Sequence, residues 1–545
     1  MLNKEDVWGN SVTEFFDYAD EKEQLLWSYL FEKIIEVTPR SYKKQILPIV
    51  EKIGEKPFRK TIHAWLELVI LAKPKTAFYE DESGLEHERN YLLEYPNETI
   101  FARLIRTLPF VAYQNSIDLL SELAVQAGKN RTFKSNDKTD KVTGIASYKL
   151  SEQAIYALAD IEKVSPITAL LSVQIQLQSL SLKALIEKKL SQIAKKQKVE
   201  LIELLENHLP DYGLENGFLE GEIESKINAE KIYVYQMQVV ENKVKISWFD
   251  ANGKQLKTVP AALKKEFPHK IEKLKSTAIE AQKTLTLQRE RLEKTYLTHK
   301  NFTYSHWKNA YSSHGLLGVV VENLVWQVNI DTEERTEWKT VWSSFGRFVD
   351  ADKNPIEVNN NTLIRLLHPV SLNQEDLEYW QNFIKQKDIK QPFQQVFRTI
   401  FERIEGDKNE EENEEIQESN RFEGIILTQK KLRMFAKIQG WNYKWLTYPK
   451  VNRSFVTFQF DYKLNQKIDN SETEKPQKLE IEFWVEALPS QPQDVKTSVV
   501  RLHKKAQPLS LEILDKITFS EIFRAIQRIV NVSSLEIKIT GNQST

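Results

Sequence analysis

The chain contains no cysteine. That excludes disulfide staples, thiolate nucleophiles and every zinc or iron–sulfur site built on Cys. It matches a reducing compartment, and a cytoplasmic protein is the expectation. Glycine is scarce, 16 of 545 residues. Neither a GxxxxGK[ST] loop nor a GxGxxG fingerprint occurs, so nothing signals a nucleotide and no cofactor is expected. There is no GxSxG elbow either. Long apolar runs are missing as well: GLLGVVVENLVW is too short and too interrupted to span a bilayer. The first residues, MLNKEDVWGNSVTEFF, lack a positive region followed by an apolar stretch, so no signal peptide is expected. The net charge of −1 provides no overall field toward DNA or an anionic membrane, and no membrane partner is expected. Nine histidines are scattered without an HExxH pattern. A set made of His306, His314 and a distant carboxylate is the weak alternative to the expectation of no metal site.

What is present reads as α+β and predominantly α. Length alone allows about three to four domains. Residues 1–210 read as a helical region of HEAT or armadillo type, built from short antiparallel helix pairs punctuated by Pro39, Pro48, Pro57 and Pro74. In LLWSYLFEKIIEV the three- and four-residue spacing of Leu25, Leu26, Tyr29, Leu30, Lys33, Ile34 and Val37 predicts one helix face. Further helices are expected near 98–107, 113–127, 150–162 and 165–195, and 129–142 reads as a polar loop.

A mixed α/β module follows, with its first part at 211–404. Gly213, Gly217 and Gly221 mark turns. KIYVYQMQVVENKVKISWFDANGKQL reads as a hairpin, with a turn at Ala251-Asn252-Gly253. Residues 260–298 predict one long helix kinked at Pro268, and 302–327 predict more helix, with short strands after that. Residues 405–420 carry eight acidic residues against one Lys and read as a solvated loop. The C-terminal α+β part, 421–545, contains a strand and helix, two strongly alternating strands, and a final helix. Thr518 and Glu521 have the spacing of a capping box for that helix.

The candidate site is the segment HPVSLNQEDLEYWQNFIKQKDIKQPFQQVFR, His368 to Arg398. His368-Pro369 ends a strand, because a residue before Pro is held extended. Leu377, Trp380 and Phe383 or Ile384 share a helix face, which makes Trp380 a core residue. Gln391-Pro392-Phe393 reads as the start of another helix. Gln395 and Arg398 then lie on one face. The plain reading is that Gln395 and Arg398 hydrogen-bond strand ends and fix how the segment docks. The sharper one is a polar ligand site made of His368, Gln391, Gln395 and Arg398, with Arg398 gripping a phosphate or carboxylate. A second candidate is electrostatic. Residues 253–308 hold thirteen Lys and Arg against five Asp and Glu. Arg289, Arg291, Lys294 and Lys300, near Tyr304 and Trp307, are candidate nucleic-acid contacts.

Several ordered segments resemble one family. They are KVKISWFDANGKQLKTVPAALKKEF, LQRERLEKTYLTHKNFTYSHWKNAYSSHGLLGVVVENLVWQV, the His368–Arg398 segment, RFEGIILTQKKLRMFAKIQGW and TFSEIFRAIQRIVNVSS. Together they are similar to the bacterial family called domain of unknown function 4132, which includes molybdate metabolism regulator-like proteins. Gly315 stands where the family has proline. The resemblance implies a genomic setting beside MoxR-type AAA+ ATPases and von Willebrand factor A proteins. It therefore implies a component of an ATP-dependent multiprotein system of stress response or defence, and, with the helical N-terminus and no recognisable catalytic set, an adaptor or scaffold rather than an enzyme is the expectation. The alternatives are a nucleic-acid-binding component and an enzyme with a site near His368 and Arg398.

Overall fold

The computed structural model describes residues 2–80, 86–134, 141–226, 231–331, 336–344, 346–402, 421–428, 456–461, 478–489 and 515–530. The acidic run 405–420 and the helix expected after the strand at 421 lie outside the described residues. The chain divides into two compact units, Met1–Gln238 with Val244–Thr284, and Val239–Lys243 with Leu285–Thr545. The whole is α+β and predominantly helical, as its periodicities predict.

The first unit is led by helices Val7–Tyr18, Glu21–Glu36, Glu55–Ile70, Gln114–Gly128, Tyr148–Ala159 and Leu180–Gln197. Their starts are written locally. Asp6, Asp20, Ser147 and Ser179 each accept a hydrogen bond from a backbone N–H of the first turn. The stretch expected as one helix over 165–195 is two, Ile167–Gln176 and Leu180–Gln197, because the Ser179 cap opens a new start. An aromatic nucleus holds the N-terminal helices. Trp27 stacks on Phe58 at 5.4 Å and meets Trp65 edge-on at 5.2 Å, and Trp8 meets Trp65 edge-on at 6.0 Å. The helix Glu21–Glu36 therefore buries Trp27, Leu30, Phe31 and Ile34. That corrects the expected face: Leu25 and Tyr29 are 71% and 49% exposed, since the aromatic rings rather than the leucines set the rotation.

Two antiparallel ribbons interrupt the helices, Lys75–Glu80 with Glu86–Tyr91 and Asn130–Lys134 with Lys141–Ile145. The second replaces the loop expected at 129–142. A two-stranded ribbon lacking an alternating apolar face leaves no period-two signal to read.

A four-stranded sheet follows in sequential order, Phe218–Ser225, Lys231–Val240, Lys243–Asp250 and Gln255–Leu256. The principal hairpin turn is Glu241-Asn242, both at positive φ, the geometry that suits strand twist. The turn expected at Ala251–Gly253 is real but joins only the two-residue edge strand. There Asp250 accepts from the N–H groups of Asn252 and Lys254. The predicted kink at Pro268 is a break between helices Ala261–Glu266 and Pro268–Thr298, at Phe267. Residues of the long helix to Thr284 belong to the first unit and those from Leu285 to the second.

In the second unit a six-stranded antiparallel sheet has the order Pro355–Ile356, Arg347–Val349, Thr336–Ser344, Val325–Asp331, Leu363–Leu366, Phe302–Thr303. The helix expected over 302–327 is broken into Tyr304–Trp307, a π-helical turn Lys308–Ser312 and Gly318–Val321. His314 causes the break. Its Nδ1 accepts from the N–H groups of Leu316 and Leu317. A Cβ at Gly318 would lie 2.7 Å from the Ser312 carbonyl oxygen. Helix Gln374–Gln386 buries Trp380 and Ile384 against Val325, Leu367 and Val396. A three-stranded antiparallel sheet (Arg421–Thr428, Lys478–Pro489, Val456–Asp461) and the C-terminal helix Lys516–Val530 complete the described chain.

Trp27→Ala is expected to lower the unfolding free energy by about 3–5 kcal/mol, the usual cost of an aromatic cavity. Leu25→Ala should change it by less than about 0.5 kcal/mol. Urea denaturation of the two variants measures both, and equal losses would contradict this packing.

Candidate functional site

The strand Leu363–Leu366 ends at Leu367, whose N–H still donates to the Val325 carbonyl. His368 then stays extended (φ −106°, ψ 131°) ahead of Pro369. Its Nδ1 accepts from the N–H of Val370 at 3.2 Å. A backbone N–H can only donate, so the neutral ring carries its proton on Nε2. That Nε2 donates to Glu521 Oε1 at 3.2 Å.

The segment after the Trp380 helix is not a second helix. Gln391-Pro392-Phe393 opens a turn, and the backbone is held by side chains instead. Gln391 Oε1 accepts from the N–H of Val396, while Gln381 donates to the Val396 carbonyl. Gln395 is fully buried and saturated. Its Nε2 donates to the carbonyls of Val325 (2.7 Å) and Leu367 (3.0 Å). Its Oε1 accepts from the N–H of Val325 (2.8 Å) and from Gln391 Nε2 (2.9 Å). One amide thus closes the ends of two neighbouring strands, where the ladder alone leaves groups unpaired.

Arg398 is the centre of the charge. Its Nε and Nη2 donate to the two oxygens of Glu521 at 2.5 and 2.6 Å, a two-pronged pair. Nη1 donates to the Gln394 carbonyl and Nη2 also reaches Glu293 Oε1 at 2.9 Å. The guanidinium lies 4.7 Å from the Tyr296 ring, whose hydroxyl donates to the Leu367 carbonyl. Arg524 and Arg528 approach the same Glu293 oxygen.

Burial opposes ionisation of Glu521, but the hydrogen bonds from Arg398 and His368 and the Arg398 charge outweigh it. The carboxyl is held far below its ordinary range. Burial would lower the pKa of Arg398, yet the hydrogen bonds and charge of Glu521 raise it above the usual arginine value. Burial dominates at His368 and lowers its pKa despite Glu521, so the ring is neutral near pH 7.

The sequence candidates therefore separate. His368, Gln391, Gln395 and Arg398 do come together. Trp380 sits in the adjoining apolar core rather than among them. The other set does not converge. Arg289 donates to the Pro392 carbonyl, Arg291 to Gln288 Oε1, and Lys300 covers the Phe302 ring, while Lys294 faces solvent. Among the described residues no group of three or more His, Asp or Glu is placed to hold a metal ion. Glu293, Tyr296, Glu521, Arg524 and Arg528 were missed. The capping-box spacing of Thr518 and Glu521 predicts Glu521 as a cap, but Asp515 caps that helix through the N–H and hydroxyl of Thr518. The available signal was the spacing of Glu521, Arg524 and Arg528, which puts three charges on one helix face.

Two outcomes test this arrangement. Arg398→Ala strands the buried Glu521 carboxylate and is expected to cost about 3–5 kcal/mol in denaturant unfolding. Acid should also loosen the second unit. In the fold His368 titrates below the ordinary histidine value of 6.5, and Glu521 below the ordinary glutamate value of 4.5. As pH falls the unfolded chain takes up each proton first, so stability is greatest above the histidine value and declines in two stages. His368→Gln should remove the first stage from the pH dependence of the urea midpoint; an unchanged profile would contradict the neutral ring.

No curated protein and no solved structure matches the chain. A segment reaching from the turn at Gly253 through the whole His368–Arg398 motif does match a family, and over residues 253–441 the chain is similar to the domain of unknown function DUF4132.

Proposed function

We propose that this chain is a non-enzymatic adaptor that docks protein partners in a bacterial ATP-dependent assembly. The observation that carries this reading is the use to which the motif is put. His368, Gln395 and Arg398 are buried and hydrogen-bonded to strand ends and to Glu521, so the most distinctive polar residues build the module. A catalytic set built from His368, Gln395 and Arg398 would need some of these three groups turned toward a cleft. Docking surface is available elsewhere. Leu25 and Tyr29, four residues apart on the helix Glu21–Glu36, turn an apolar pair outward. The resemblance to domain of unknown function 4132 names the expected partner classes, an AAA+ ATPase of MoxR type and a von Willebrand factor A protein.

The test is a pull-down with the tagged full chain from nuclease-treated lysate of its own cell, read by mass spectrometry. Wild type is expected to recover an AAA+ ATPase or a von Willebrand factor A protein. Leu25→Glu with Tyr29→Glu leaves Trp27 and Leu30 in place and is expected to deplete the partner about tenfold. Recovery of neither class by wild type would end this reading.

A further inference from the structure

Glu293 carries more positive charge than one carboxylate ordinarily holds. Its Oε1 accepts from Arg398 Nη2 at 2.9 Å, Arg524 Nη1 at 3.1 Å and Arg528 Nη2 at 3.3 Å. Arg398 is shared with Glu521, and Arg524 Nη1 lies 3.7 Å from Glu521 Oε2. Among the described residues three guanidinium groups face two carboxylates beside a neutral His368, an excess of one positive charge. The cluster is graded in depth. The Arg398 side chain is sealed, Arg524 is 7% exposed, Glu293 is 23% exposed and Arg528 is 40% exposed. Solvent therefore reaches the carboxylate and the outermost arginine, while the innermost is fixed by Glu521.

We propose that Arg398, Arg524 and Arg528 form a binding site for a small phosphate-bearing anion, and that the Glu293 carboxylate is the group such an anion displaces. The geometry favours the exchange. Three forked donors now crowd one oxygen atom, whereas a tetrahedral phosphate offers each guanidinium an oxygen of its own. The charge also matches. With Glu293 turned to solvent, three arginines and Glu521 leave a charge of two, which a phosphate near its dianionic state neutralises. Burial opposes ionisation of Glu293, but the charges of Arg398, Arg528 and Arg524 outweigh it and hold its carboxyl below the usual range. The resident competitor is thus an anion at neutral pH. Arg524 and Arg528 lie on the C-terminal helix, beyond the residues similar to DUF4132, so this site goes beyond the adaptor reading and does not rest on it.

The test is calorimetric titration of the full chain with inorganic phosphate and with phenyl phosphate, in chloride of matched ionic strength. Glu293→Gln keeps the shape of the side chain and removes its charge. It is expected to bind phosphate at least about tenfold more tightly than wild type. Adding Arg528→Gln, a half-exposed position, should reverse most of that gain. Binding of phosphate alone marks a free-ion site, and binding of both marks one that accepts esters; either supports the proposal. Equal phosphate affinity in wild type and Glu293→Gln would overturn it, as would an unchanged affinity in the double variant. If Glu293→Gln is unstable, its thermal midpoint becomes the readout. Phosphate should then raise it well above matched chloride, and an equal rise in both salts would also overturn the site.

Discussion

The buried pair of Arg398 and Glu521 is the constraint around which the second unit is arranged. Two ions removed from water are a liability unless every donor and lone pair finds a partner. Here Arg398 reaches Glu521 with two nitrogens, Glu293 with one of them, and the Gln394 carbonyl with the third, while its face rests on Tyr296. Glu521 is completed by His368, and His368 by the backbone of Val370. Each group is oriented by the next, so the strand end, the turn at Gln391–Arg398 and the C-terminal helix are placed together or not at all.

Gln395 does for the backbone what Arg398 does for the charges. The ends of two interior strands, buried beneath a non-helical turn, present carbonyl and amide groups that water cannot reach. One side-chain amide satisfies both groups of Val325 and the carbonyl of Leu367. The Pro392 segment leaves helix geometry with its own backbone held by side chains: Gln391 accepts from the Val396 N–H, and Gln381 and Arg289 donate to the carbonyls of Val396 and Pro392. Glu521 comes from a helix that lies well beyond residue 441. Glu521, the carboxylate that takes both prongs of Arg398, therefore lies outside the segment similar to DUF4132, while the second carboxylate, Glu293, lies inside it.

Much of the helical framework was legible locally. Apolar periodicity predicts helices near 113–127 and 150–162, and the structure has them at Gln114–Gly128 and Tyr148–Ala159, because that signal acts within one or two turns. The failures have equally physical causes. Tryptophan and phenylalanine bury more area than leucine, so Trp27 and Phe31 join Leu30 and Ile34 on the buried face of the second helix while Leu25 and Tyr29 turn outward. The ribbon at 130–145 carries no apolar stripe. His314 stopped a helix through its ring nitrogen, an interaction that hydropathy does not record.

The candidate residues show the same division. Residue type and spacing alone marked His368, Gln391, Gln395 and Arg398 as a set, because buried glutamine and arginine at that spacing demand partners. Nothing local could name those partners. Val325 lies 70 residues from Gln395 and Glu521 lies 123 from Arg398. Sequence by itself determined the helical class, most element starts and the polar character of the motif, since these follow from short-range hydrogen bonding and hydropathy. Only the tertiary structure decided that Glu521 is a counter-ion rather than a cap, and that Glu293 gathers three arginines, because charges so far apart along the chain are paired by packing and not by spacing.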